Sequence, residues 1–159
     1  MGLVPTALAM ASVTLAGCGR AEPARQPAIA PADTRAEGVT QSMTSIEIVS
    51  GSRRWQVRLV DSPSTRDFLA QLPLKLSLKD YAGTEKIADL PRKLTREGAP
   101  KAITPKKGDV TFYAPWGNLA IFYKDWHHSP GLVPLGRIEG DVAGLDRSGS
   151  MEVTVQLLN

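Results

Sequence analysis

The sequence predicts a mainly β domain closed into a barrel, and three observations carry that prediction. Short segments between residues 45 and 159 alternate apolar and polar side chains with the period of two that a half-buried strand requires. Clusters of Gly, Pro, Asp and Ser separate these segments at short intervals, as turns do. Helical periodicity is confined to one or two short stretches. Seven or eight short strands with so little helix are best satisfied by closure, which leaves no edge exposed. The expected architecture is a closed β-barrel of seven or eight strands with one or two short helices.

Taken in order, Ile46 and Ile48 alternate with Ser45 and Glu47 in a first strand. Ser50-Gly51-Ser52 turns the chain, and Trp55, Val57 and Leu59 then face one way while Arg54, Gln56 and Arg58 face the other. Ser62-Pro63 is a helix start, with Ser62 as N-cap and Pro63 at the first helical position. Phe68, Leu69 and Leu72 share a side of that helix, and Pro73 stops it. Leu74, Leu76 and Leu78 alternate with lysines and serine in a third strand, Asp80–Gly83 is a turn, and Glu85–Leu90 is a weaker strand. Thr95–Lys107 reads as loop. Asp109–Tyr113 and Asn118–Tyr123 are nearly continuous apolar runs, the pattern of strands buried on both faces or forming the wall of a pocket. Gly140–Leu145 is expected as one helical turn, and Val153, Val155 and Leu157 mark the last strand.

The chain before this domain reads as an address. Met1–Cys18 carries no ionisable group except the cysteine, and it is shorter than the roughly 20 apolar residues of a membrane span. It has the length of a secretory core ending in small residues, though no Lys or Arg precedes it. Leu15-Ala16-Gly17-Cys18 resembles the bacterial lipobox, in which the cysteine thiol accepts the lipid. Residues 1–17 are thus expected to be a lipoprotein signal peptide, and Cys18, the one cysteine of the chain, the lipidation site. Residues 18–44 are rich in Ala and Pro, with Pro23, Pro27 and Pro31 spaced by four, and read as a flexible tether. Residues 45–159 form the barrel domain. The expected location is the bacterial cell envelope, facing the periplasm or the outside, with the membrane as partner through the lipid.

Composition narrows the chemistry. A single cysteine excludes an internal disulfide framework and multi-cysteine metal sites. A net charge of +3 is too small to argue for nucleic acid. From Lys86 to Lys107 seven cations face Asp89 and Glu97, a local charge of +5 in what reads as solvated loop; beside a membrane such a run also attracts anionic lipid. No nucleotide-binding or hydrolase fingerprint occurs. Asp80, Glu85, Asp89 and Asp109 lie near turns, where carboxylates cap backbone amides, and none is assigned acid–base work. His127 and His128 are adjacent, so on extended backbone they diverge and make no chelating pair. No catalytic residue, metal site or cofactor is expected.

Gly108-Asp109-Val110-Thr111-Phe112-Tyr113-Ala114-Pro115-Trp116-Gly117-Asn118-Leu119-Ala120-Ile121-Phe122-Tyr123 is similar to the signature of small bacterial cyclophilin-like proteins. So are the string from Ser129 to Ile138 and Phe68-Leu69-Ala70-Gln71-Leu72-Pro73. The resemblance implies an eight-stranded barrel of cyclophilin type and no established activity. The Phe-His-Arg and Gly-Ser-Gln-Phe-Phe strings of the prolyl isomerases are absent. Such an isomerase sets an arginine against the prolyl nitrogen; Arg54, Arg58 and Arg137 are the strand arginines available, and no motif singles one out.

Aromatics concentrate late in the chain. Tyr113, Pro115, Trp116, Asn118, Tyr123, Trp126, His127 and His128 form the candidate binding set, placed at a barrel mouth where the Ala114–Asn118 loop meets the Trp126–Pro130 segment. Indole and phenol groups offer apolar area with a polar handle, Asn118 supplies donor and acceptor, and imidazole is the side chain type that changes charge near neutral pH. The expected function is binding of a small molecule or an extended, proline-containing peptide; the alternative is weak prolyl isomerisation.

Overall fold

The computed structural model describes residues 44–158. The signal-like stretch, Cys18 and residues 18–43 of the tether lie outside them. Ten strands and one helix follow in order: β1 (Ser45–Ser50), β2 (Arg53–Leu59), α1 (Pro63–Leu69), β3 (Leu74–Tyr81), β4 (Glu85–Asp89), β5 (Ala102–Ile103), β6 (Asp109–Tyr113), β7 (Asn118–Phe122), β8 (Ser129–Pro130), β9 (Leu132–Ile138) and β10 (Met151–Leu157). Eight close a barrel in the order β1-β10-β3-β4-β7-β6-β9-β2, each neighbouring pair antiparallel. The two-residue strands β5 and β8 pair separately, so the Thr95–Lys107 segment is more than the expected loop.

The period-two pattern becomes the barrel interior. Ile46, Ile48, Val57, Leu78, Val110, Leu119, Ile121 and Val155 are fully buried in one core. α1 starts as its sequence dictates: the Ser62 side chain accepts from Thr65 N at 3.1 Å, Pro63 opens the helix, and Phe68 is buried in the core. β9 carries Pro134 opposite Thr111 at a β-bulge, the position in a sheet that tolerates a missing N–H. Beyond the bulge Gly136 and Arg137 pair with Val110 and Asp109 of β6 on one side and with Leu59 and Arg58 of β2 on the other, closing the barrel.

Two expectations are corrected. Gly140–Leu145 forms a turn, with Leu145 N donating to Val142 O at 3.1 Å, and not a helical turn. Gly140 and Gly144 both sit at left-handed φ, +91° and +88°, which breaks a right-handed run on either side. Lys86 is also not part of a solvated cationic loop. It alternates inward on β4 and is fully buried at one end of the barrel interior. Its ammonium donates to Arg147 O and to Gly149 O (3.2 Å) and pairs with Asp80 at 3.3 Å. Asp80 in turn accepts from the Tyr123 hydroxyl at 2.6 Å. Burial raises the Tyr123 phenol above its ordinary value, and the Asp80 hydrogen bond adds to this.

Candidate functional site

The outer face of the barrel is buried over one patch. β6 and β7 are covered on both sides, one of the two readings their continuous apolar runs allowed. Facing inward, Val110, Phe112, Leu119 and Ile121 belong to the core. Facing outward, Ala120, Phe122 and Leu132 form a second apolar cluster with Ile87, Ile103, Tyr113 and Trp126. The pairings Ile87↔Ala120, Glu85↔Phe122 and Tyr113↔Asn118 bring these outward positions of β4, β6 and β7 together.

Two segments rise over this patch. The Ala114–Gly117 turn closes the β6–β7 hairpin, with Gly117 N donating to Tyr113 O at 2.8 Å. Gly117 has φ +81°, and a Cβ there would meet the Lys93 side chain at 2.9 Å. Residues 124–131 return on the other side. Trp126 N donates to Pro105 O at 3.1 Å, Gly131 N to Lys101 O at 3.0 Å, and Ala114 N to Gly131 O at 3.0 Å. Gly131, at φ +82°, brings the two segments into contact: a Cβ there would lie 2.9 Å from Pro115 Cδ.

Between them lies a cavity of about 300 Å³. Its floor is the outer wall of the barrel, from Ile87, Asn118, Ala120, Phe122 and Leu132. Tyr81, Tyr113 and Trp116 stand on one side, Trp126, His127, Ser129 and Pro130 on the other. Trp116 is packed edge-on against Tyr81 (5.5 Å, 83°) and Tyr113 (5.3 Å, 81°), yet remains 54% exposed. Trp126 lies 4.3 Å from the His127 ring at 37°.

Two oxygens in this lining are buried without a hydrogen-bond partner, Glu85 Oε2 and Asn118 Oδ1. Unpaired buried acceptors are rare because each forfeits its hydration. Burial alone pushes the Glu85 carboxyl up to about 7.

Of the residues singled out in the sequence, Tyr113, Trp116, Asn118, Trp126 and His127 are brought together around this cavity. Pro115 is exposed in the turn and packs on Gly131. Tyr123 turns inward to Asp80. His128 is not part of the lining, and its Nδ1 lies 3.2 Å from Thr104 Oγ1. The gathering place is the barrel's outer wall and not its mouth, because Asn118 and Tyr113 occupy outward positions of their strands.

The three arginines weighed for isomerisation sit elsewhere, each in an ion pair: Arg54 with Glu47 at 3.0 Å, Arg137 with Asp109 at 2.6 Å, and Arg58 with Glu139. Among the carboxylates, Asp80 caps Gly83 N (3.3 Å) and Asp109 caps Lys106 N (2.7 Å), the capping role expected of them. Glu85 departs from that role.

The cyclophilin-like family model matches residues 48–156. The chain belongs to the cyclophilin-like family. No curated protein matches this cyclophilin-like chain. A solved structure similar to it is the solution structure of the hypothetical protein AF2241 from Archaeoglobus fulgidus, 19% identical, with a TM-score of 0.60. The match covers 73% of this chain and 95% of that one. At that identity the likeness speaks for the fold alone.

Glu85 and Tyr81 were missed as cavity residues of the cyclophilin-like domain. Both flank the β3–β4 turn, paired across it, far in sequence from the aromatic cluster. The signal available was Ile87: an apolar residue two positions from Glu85 marks the same face as one to be covered.

Proposed function

We propose that this cyclophilin-like domain binds a small molecule with an apolar body and a polar group in the outer-wall cavity. The carrying observation is the pair of buried, unpartnered oxygens of Glu85 and Asn118 in a cavity lined mainly by aromatic and apolar residues. Ligand sites have this make-up, a mostly apolar lining with a few convergent polar groups that fix orientation. A prolyl isomerase needs a cation against the prolyl nitrogen. No lysine or arginine belongs to the lining, so binding without turnover is the reading preferred. Proline-peptide turnover that disappears when Arg54, Arg58 or Arg137 is replaced would overturn it.

Ala120 supplies the test of the site. It is buried on the cavity floor, and Ala120→Leu fills the space without touching the barrel core. Compounds from a small-molecule library that raise the melting temperature of the wild type are expected to lose that effect in Ala120→Leu. Hits that persist in the variant place binding elsewhere.

We further propose that the domain works at the surface of a bacterial envelope membrane, held by lipid on Cys18. The lipobox-like Leu15-Ala16-Gly17-Cys18 and the Pro-rich residues after it support this reading. In detergent phase partitioning the wild type is expected in the detergent phase and Cys18→Ser in the aqueous phase. Equal aqueous partitioning of both rejects the anchor.

A further inference from the structure

We infer that the outer-wall cavity is a cage for an organic ammonium ion, an amine with at least one N–H on an apolar or aromatic body, with Glu85 as its counter-charge. This rests on the cavity being a ligand site and names the chemistry that fits it. Three features select a cation. The first is the rings: Tyr81, Tyr113, Trp116, Phe122 and Trp126 surround the space, and an ammonium held against aromatic faces is attracted by their quadrupoles. The second is Glu85, a residue of the same lining, whose Oε2 is buried with no partner. The third is that neither lysine nor arginine enters the lining, so no side chain of the cavity already fills the cationic role.

Other ligand classes leave the site worse satisfied. A carboxylate or phosphate ligand sets a second negative charge beside Glu85. A purely apolar ligand leaves the Glu85 and Asn118 oxygens without a partner, at a cost for each. An N–H-bearing ammonium donates to Glu85 Oε2, and the Asn118 amide orients whatever polar group lies next to it. Burial holds the empty Glu85 carboxyl near 7, so binding of the cation draws off its proton. Amine affinity should therefore rise with pH. The titratable groups facing Glu85 are Tyr81 across the β3–β4 turn, Tyr113 on β6 and His127 on the return segment, with Tyr123 behind β7. His127 is the imidazole of this lining, so the series carries a His127→Gln control.

The experiment is ligand-observed NMR on the full chain with a panel of aryl-alkyl amines, each matched by its isosteric alcohol and carboxylate. The wild type is expected to bind amines roughly tenfold or more tightly at pH 8 than at pH 5, since only the ionised fraction of Glu85 is competent. The alcohols should show no such rise, and the pH dependence should survive His127→Gln. Glu85→Gln should abolish the preference for amines. Should that variant fail to fold, Trp116→Ala, at an exposed ring, should still weaken the amines more than the alcohols. Amines and alcohols binding alike at both pH values would overturn the cation cage while leaving the ligand site standing. If no member of the panel binds to the wild type and is displaced by Ala120→Leu, the ligand site falls with it.

Discussion

Lys86→Met is expected to lower the unfolding free energy by about 3 kcal/mol, the low end of what breaking a buried ion pair costs. Methionine keeps the apolar stem in the barrel but withdraws the charge from Asp80 and the donors from Arg147 O and Gly149 O. Asp80 retains the Tyr123 hydroxyl and some contact with solvent, which limits the loss. A urea titration should show the midpoint falling with an unchanged slope. By contrast Arg66→Ala, which removes an ion pair with Asp61 whose members are 61% and 69% exposed, should change stability by about 1 kcal/mol or less. A Lys86→Met loss as small as that would mean the end of the barrel is wet and the lysine merely solvated. The acid limb of the stability profile gives a second readout. The Tyr123 hydrogen bond, then Lys86, hold the Asp80 carboxyl below its ordinary value. A depressed carboxyl contributes stability above its unfolded pKa of about 3.9, and that contribution is lost as pH falls through the lower folded value. Without Lys86 part of it is gone already, and the acid limb should be shallower.

Glu85→Gln should do the opposite, and only at the alkaline side. In the folded protein burial pushes this carboxyl up to about 7 from its ordinary value of 4.5. The folded state therefore holds the proton more tightly than the unfolded chain. Stability falls as pH rises from 4.5 to 7 and levels off above that range. Glutamine does not titrate, so the variant should escape this fall. The gap between variant and wild type is expected to widen by on the order of 2–3 kcal/mol from pH 5 to pH 8, from about 1.4 kcal/mol per pKa unit. Taking the difference between the two pH values cancels the pH-independent effects of the amide. Parallel profiles would show that Glu85 is hydrated and not desolvated. Gained stability joined to lost amine binding is the trade expected where a buried group is kept for its ligand.

Most of the barrel was legible because a half-buried strand writes its period into the chain. Ile46 and Ile48, Trp55, Val57 and Leu59, or Leu74, Leu76 and Leu78 each mark one face, and those faces became the core. β9 was harder: Pro134 and Gly136 interrupt its pattern, the first at the bulge against β6 and the second where the backbone of β2 comes close. The cavity was half legible. Tyr113, Trp116, Asn118, Trp126 and His127 are close in sequence, so their density showed. Tyr81 and Glu85 join them through the pairing of β4 with β7, and strand pairing is non-local information. The same gap hid Lys86. In a run of cations it looks like one more solvated charge, and only the direction of β4's pleat separates it from Glu85, its neighbour on the opposite face.

The doubly covered β7 has a consequence for how this protein can diversify. Leu119 and Ile121 belong to one apolar cluster, Ala120 and Phe122 to the other, and the two clusters share backbone but no side chain. Every second codon of one short strand thus answers to the barrel, and the codons between answer to the outer-wall cavity. Descendants of this sequence can exchange Ala120, Phe122 or Leu132 for residues of other size and polarity while the barrel interior keeps its packing. The fold then serves as a constant frame on which the shape of the outer cavity is rewritten position by position, with no insertion or rebuilt loop required.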